Sequence, residues 1–268
     1  MDVLHTFEHG FGARGTTRRK VWFARIERMP SATPVSADAR AHERRAASLR
    51  DLLVVALAVT SGATDAIGFL ALGSAFTSVM TGNLVLLGIG AAHGDLTALG
   101  LTATAIASFV VGAALGARLA GTPQPGDAYW PRAITRALMV QIGLFAVFAV
   151  WWWALGSDPS GDVLLPLLSL NAAALGLQSS AVQRFGVSGL STTYLTGTLT
   201  TVVIRLTTGK RLAEVSHSLW ILLGLVAGAA AGALLVRHLP IAVPLVQLGT
   251  TLAVLAVALS AKHLRSPR

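Results

Sequence analysis

From residue 52 onward the chain is a succession of apolar runs, each about long enough to enter or cross a bilayer. Eight can be drawn: about 52–72, 75–92, 97–119, 133–155, 163–182, 190–206, 216–237 and 241–261. A helix needs roughly 20 consecutive apolar residues to span the hydrocarbon core. Charged residues make up 12% of the 268-residue chain, against about a quarter in soluble domains. That is too little charge to dress a soluble surface. The expected class is therefore an all-α polytopic membrane protein, with the lipid bilayer as its principal partner.

The net charge is +9, and residues 1–50 hold ten Lys/Arg against five Asp/Glu. These basic residues sit in a leader and beside apolar runs, not on a folded polar surface of the kind a nucleic-acid binder presents. Anionic lipid headgroups are the expected counter-charge, and no nucleic acid is expected. Residues 1–48 contain Arg18-Arg19-Lys20, Arg44-Arg45, Pro30 and Pro34 but no apolar run. They read as a disordered, basic cytoplasmic leader and not as a signal peptide. Val21-Trp22-Phe23 leaves open a short interfacial helix, and Met29 an alternative start. The membrane domain is expected over 49–262, with a cytoplasmic tail at 263–268. There is no cysteine, so disulfides and thiolate sites are excluded. His93, His217 and His238 lack metal-ligand spacing. No nucleotide fingerprint or catalytic cluster occurs, and neither a cofactor nor an enzymatic activity is expected.

Three landmarks recur in the same order. Gly62 is followed 114 residues on by Gly176, Thr81-Gly82 115 residues on by Thr196-Gly197, and Gly112-Ala-Ala-Leu-Gly116 116 residues on by Gly228-Ala-Ala-Ala-Gly232. Two homologous halves are expected, about 50–156 and 160–262. Small residues spaced four apart let membrane helices approach closely.

If all eight runs crossed, Arg118, Arg132, Arg136 and Arg184 would lie outside, against the positive-inside rule. If 75–92 and 190–206 instead enter and leave on one side, those arginines lie inside with Arg205, Lys210 and Arg211. Asp95, Asp158 and Asp162 then lie outside, and Arg237 alone is misplaced. About six spans plus two short broken or re-entrant segments are therefore expected, with both termini cytoplasmic. Three crossings per half make the halves inverted repeats, whose broken elements meet near the midplane.

Asp65 is the one acid well inside an apolar run. A carboxylate there is costly unless paired, hydrated or protonated. It reads either as a proton relay or cation ligand, or as a cap of a broken helix beside Gly62. Thr81, Gly82 and Asn83 read as a hinge between two hydrogen-bonding side chains, with Thr196, Gly197 and Thr198 as the counterpart. Asp65 is expected within a few ångströms of the Thr81–Asn83 break. Gln178 lies with Asn171, Ser179 and Ser180 in the segment matching that of Asp65. The amides of Gln141 and Gln247 read as ties between helices. Trp151-Trp152-Trp153 reads as an interfacial anchor.

Taken together, Gly62…Asp65-Ala66…Phe69…Gly73…Phe76…Met80-Thr81-Gly82-Asn83 resembles the signature of the YoaK-like family of bacterial membrane proteins. Gly176, Gln178 and Thr193-Tyr194-Leu195-Thr196-Gly197-Thr198 resemble its second motif. The resemblance covers roughly 50–262. It implies an integral inner-membrane protein with about six spans, in a family catalogued as a domain of unknown function, and it implies no activity. On the physical reading, the expected function is a secondary transporter or channel for a small solute, coupled to a proton or cation through Asp65. The alternative is a non-transporting assembly, sensing or partner-binding protein. Association into a homo-oligomer is left open.

Overall fold

The computed structural model describes residues 37–121, 130–184 and 195–261. The chain divides into two units, Met1–Glu43 and Arg44–Arg268, and the helix bundle is the second. The described residues are helical with no strand. The helices are α1 (Ala37–Ala71), α2 (Met80–His93), α3 (Leu96–Ala120), α4 (Arg132–Ala154), α5 (Leu164–Gln183), α6 (Leu195–Thr207), α7 (Leu212–His238) and α8 (Val243–Ser260). Single 3-10 turns, Gly161–Val163 and Pro240–Ala242, lead into α5 and α8. Six helices are long and apolar enough to cross a membrane, while α2 and α6, at 14 and 13 residues, are too short. The protein is thus an all-α polytopic membrane protein with six candidate spans and two shorter apolar helices.

The leader ends earlier than expected. Residues 37–48, read as disordered, form the first turns of α1. The Ala- and Arg-rich sequence from Ala37 to Ser48 has high helix propensity and runs without a breaker into the apolar span. The rest of the leader and the 263–268 tail lie outside the described residues.

Close helix contacts are made through glycine. A Cβ built on Gly112 or Gly116 of α3 would collide with the backbone of Ala173 or Leu177 in α5, and one on Gly176 of α5 with that of Phe109 in α3. The pair α7–α1 repeats the arrangement. Gly228 and Gly232 of α7 sit on the backbone of Val59 and Ala63 in α1, and Gly62 of α1 sits on that of Leu225 in α7. Each contact needs a bare Cα, which is why the two GxxxG patterns are spent inside the chain. The Ser180 hydroxyl adds a bond to the Ala113 carbonyl at 2.8 Å. Arg184, just beyond α5, donates to the Ala120 carbonyl at the C-terminus of α3, where a cation is favoured by the helix dipole.

Along the bundle axis the buried side chains form three layers. One apolar layer joins Leu53, Val54 and Leu57 of α1 with Ile134 and Leu138 of α4, Val182 of α5, Ile221 of α7, and Val254 and Ala258 of α8. The start of the first span and the end of the last therefore lie at the same end of the bundle. The opposite apolar layer joins Ile67 of α1, Leu101 and Ala105 of α3, Phe148 and Trp152 of α4, Leu167 and Leu168 of α5, and Val243 of α8. Between them lies a layer rich in buried polar side chains, Thr60, Ser61, Thr64 and Asp65 of α1, Gln141 of α4, Asn171 and Gln178 of α5, and Gln247 and Thr251 of α8, with the small apolar cluster of Phe145, Ala174 and Leu175 among them.

Trp152, expected as an interfacial anchor with its neighbours, is instead a core residue at 1% exposure. Its indole N–H donates to the Pro240 carbonyl at 2.9 Å, and that of Trp153 donates to the Ile241 carbonyl at 2.8 Å. Two tryptophans thus tie the end of α4 to the turn between α7 and α8. An open, mostly apolar cleft of about 510 Å³ lies beside this tie, lined by Trp153, Gly156, Ser157, Ile241 and Leu245. Apart from Trp153, it is lined by none of the residues singled out in the sequence.

Candidate functional site

The site is built where the chain turns back after α1. Leu72 N–H bonds to the Gly68 carbonyl and Ser74 N–H to the Phe69 carbonyl. Gly73 takes φ +100° and Ser74 φ +63°, which reverses the chain. The next residues run back along α1: a Cβ on Gly68 would meet the Thr77 methyl and the Ala75 carbonyl. Thr77 and Ser78 thereby reach the level of Asp65, about 9 Å below the end of α1 at 1.5 Å per residue. From Met80, α2 runs outward again. Gly94 (φ +68°) ends it, and the Asp95 side chain caps α3 through the N–H groups of Thr97 and Ala98, both at 3.0 Å. Segment 72–93 enters and leaves at one end of the bundle, as expected for 75–92.

Asp65 stands inside an unbroken α1 and grips this re-entrant segment. Its Oδ1 accepts the backbone N–H groups of Thr77 (2.8 Å) and Ser78 (2.7 Å) and the Thr77 hydroxyl (3.0 Å), and its Oδ2 accepts the Ser78 hydroxyl at 2.5 Å. Asp65 is 6% exposed, and Thr77 and Ser78 are buried. The polar backbone freed by the chain reversal is thereby satisfied in the membrane interior, where no water would do it.

Two expectations are corrected here. The break is not centred on Thr81-Gly82, because α2 is continuous from Met80 and the non-helical stretch lies upstream at 72–79. The donors to Asp65 are accordingly Thr77 and Ser78, not Thr81 or Asn83. Asn83 is buried and serves the same turn in another way: Oδ1 accepts the Phe76 N–H at 2.9 Å and Nδ2 donates to the Phe76 carbonyl at 2.7 Å. Gly82 is small because the Phe76 ring lies 3.2 Å from where its Cβ would be, with that ring stacked on Phe69 at 4.9 Å. Its role is close packing, not a hinge. Thr81 is exposed.

Thr196 and Gly197 take the same places in α6 as Thr81 and Gly82 in α2, the second and third helical residues. Both are exposed, and their carbonyls accept the Thr200 and Thr201 hydroxyls one turn on. The second segment, too, is helical from Leu195, with no break at Thr196-Gly197. Thr198 is buried. The residues before Leu195 that would match the 72–79 turn lie outside the described residues.

Gln178 belongs to the polar layer. Its Nε2 donates to the Leu57 carbonyl (3.2 Å) and the Ser61 hydroxyl (2.9 Å) on α1, and its Oε1 accepts Gln141 Nε2 from α4 at 2.6 Å. On the other side of the layer Gln247 Nε2 donates to Asn171 Oδ1 (2.6 Å) and Thr64 Oγ1 (3.2 Å). The Thr60 and Thr250 hydroxyls meet at 2.7 Å. Gln141 and Gln247 thus do tie helices together, but the Oε1 of each is buried and unpartnered. A buried acceptor left unmet costs about 1–3 kcal/mol, and within one domain such groups call for an explanation. Among the described residues no group of three or more His, Asp or Glu is arranged to hold a metal.

Sequence reasoning missed Thr77, Ser78, Ser61 and Thr64 as parts of the site. A signal existed for the first two, since a buried carboxylate needs donors and Thr77-Ser78 are the hydroxyl pair just ahead of the short helix.

These features define a polytopic helical membrane protein with a polar layer closed between two apolar ones and a re-entrant segment held by a single carboxylate. The chain belongs to the family described as "Protein of unknown function (DUF1275)", whose model matches residues 53–258. It is similar to the UPF0700 transmembrane protein YoaK of Bacillus subtilis (strain 168), at 34% identity over 158 residues covering 59% of this chain and 68% of that protein. No solved structure matches.

Proposed function

We propose that the protein is a membrane transporter for a small polar solute, with its binding site in the polar layer and its gates in the apolar layers on either side. One observation carries this reading. Four helices contribute hydrogen-bonding side chains to the buried middle of the bundle, where hydrocarbon would pack at lower cost. Polar groups inside a membrane are expensive and are functional candidates for that reason. The apolar layers on either side support this placement of the gates.

The matching glycine contacts support a repeat of α1–α3 by α5–α7, with α3 on α5 answering α7 on α1. We read the halves as inverted repeats and α6 as the counterpart of α2. Alternating access then amounts to one half rocking against the other around the polar layer. Asp65 is the coupling group of this scheme. Ser78 is its exchange partner, because a proton taken up on Oδ2 would turn the Ser78 hydroxyl from donor to acceptor and loosen the re-entrant segment. The arginines at the end of the bundle where α1 starts and α8 ends support cytoplasmic termini in a bacterial inner membrane.

The full acceptor set of Asp65 favours a second reading, a non-transporting membrane protein in which the carboxylate is a structural clasp. Uptake into proteoliposomes of a broad solute panel, with and without a proton gradient, separates the two. Transport predicts gradient-dependent uptake of at least one solute by wild type and loss of coupling in Asp65→Asn. Uniformly blank uptake across the panel would favour the clasp.

A further inference from the structure

Two hydrogen-bond relays cross the polar layer, and each is headed by a backbone carbonyl that can only accept. In the first, the Leu57 carbonyl takes Gln178 Nε2, so Gln178 Oε1 must face α4, where it accepts Gln141 Nε2. Ser61 already donates its hydroxyl to the Leu57 carbonyl at 3.1 Å, so it too can only accept from Gln178. In the second, the Leu167 carbonyl takes Asn171 Nδ2 at 3.0 Å, so Asn171 Oδ1 must face α8, where it accepts Gln247 Nε2. Thr64 donates to the Thr60 carbonyl at 2.8 Å and is likewise an acceptor for Gln247. The orientation of every amide is thereby set from the backbone outward. Both relays end the same way, on a fully buried glutamine whose carbonyl oxygen has no partner, Gln141 on α4 and Gln247 on the packed neighbour α8.

We infer that Gln141 Oε1 and Gln247 Oε1 are ligand atoms, and that the polar layer binds a small solute bearing hydrogen-bond donors and no negative charge, of the ammonium or hydroxyl type. This rests on the transporter reading and names its substrate class. Both unmet groups are acceptors, so the ligand must donate. Among the described residues the buried polar side chains include no Lys, Arg or His, and their one charged group is the carboxylate of Asp65. An anion entering this layer would shed its hydration against carbonyl oxygens and a carboxylate, with no cation to replace the water.

The test uses the purified full-length protein, with methylammonium chloride, glycerol and sodium acetate as probes against sodium chloride at equal ionic strength. The expected result is saturable thermal stabilisation by methylammonium or glycerol, entry of the same probe into proteoliposomes, and neither effect with acetate. Methylammonium binding without glycerol binding assigns a cation site, and the converse a site for hydroxylated solutes. In Gln141→Leu and in Gln247→Leu the apparent affinity should fall about tenfold or more, the loss of roughly one hydrogen bond to the ligand. Stabilisation without uptake would keep the site and remove transport. Uptake of acetate in preference to the other two would keep transport and overturn the inference. Absence of stabilisation by both methylammonium and glycerol in wild type would also overturn it, whatever the variants do.

Discussion

Asp65 and Ser78 are joined twice, the Ser78 N–H reaching Oδ1 at 2.7 Å and its hydroxyl reaching Oδ2 at 2.5 Å. Two parallel bonds to one carboxylate pin the turn ahead of α2 at the depth of the polar layer, and Thr77 supplies two more. Removing the carboxylate leaves two buried N–H groups and two hydroxyls to find other partners. Asp65→Ala should therefore destabilise the protein by several kcal/mol, at about 1–3 kcal/mol for each unmet buried group. Asp65→Asn keeps an acceptor at Oδ1, and Ser78 can rotate to accept from the new amide, so it should fold much closer to wild type. Thermal unfolding in detergent, followed by tryptophan fluorescence, checks this. Equal loss in the two variants would show that the charge, not the bonding pattern, holds the segment.

Asn83 matches both polar groups of Phe76, so no isosteric substitute serves. Asn83→Asp keeps an acceptor for the Phe76 N–H but sets a carboxylate oxygen against the Phe76 carbonyl, while Asn83→Ala leaves both groups unmet. Each should cost about 2 kcal/mol or more, given the penalty for buried unpaired groups. In either variant, proteolysis should cut first between 72 and 79. Wild-type resistance there would mean that Asp65 alone holds the turn.

The glycines sort into two sets by what a side chain would meet. Gly62→Ala, Gly112→Ala, Gly176→Ala and Gly228→Ala each place a methyl on a neighbouring backbone, whereas Gly143 and Gly249 have nothing within 4 Å of the added Cβ. The first four substitutions should each sharply lower the yield of folded protein. Gly143→Ala and Gly249→Ala should stay within about 1 kcal/mol of wild type or gain slightly from helix propensity. Parallel expression and melting of the six variants decides it, and a harmless Gly112→Ala would place α3 and α5 farther apart than described.

The turn between α4 and α5 packs at the end of the bundle opposite the close of α8, since Leu167 and Ala258 belong to opposite apolar layers. Reporter fusions at Asp158–Asp162 and at the C-terminus should therefore report opposite sides of the membrane. The arginine distribution further predicts a cytoplasmic C-terminus. Reporters on the same side would overturn the six-span arrangement.

Much of this architecture is legible in the linear chain, because hydropathy, glycine spacing and charge placement are properties of local sequence. Apolar length over 97–119 or 216–237 dictates a span, since backbone polar groups in lipid must be satisfied within a helix. The recurrence of Gly112 at Gly228 marked the two helices that must approach another closely. Asp65 stood out because a lone carboxylate among apolar residues must find partners. Tertiary structure decided who those partners are. Whether Asp65 would meet Thr81 or Thr77 turns on how far the chain travels back along α1 after Gly73, and a shift of four residues leaves hydropathy unchanged. That Gln141 and Gln247 each present an unmatched carbonyl is likewise invisible in the sequence. It follows from donors and acceptors on four helices meeting in the middle of the bundle, with the Leu57 and Leu167 carbonyls fixing which way the Gln178 and Asn171 amides face.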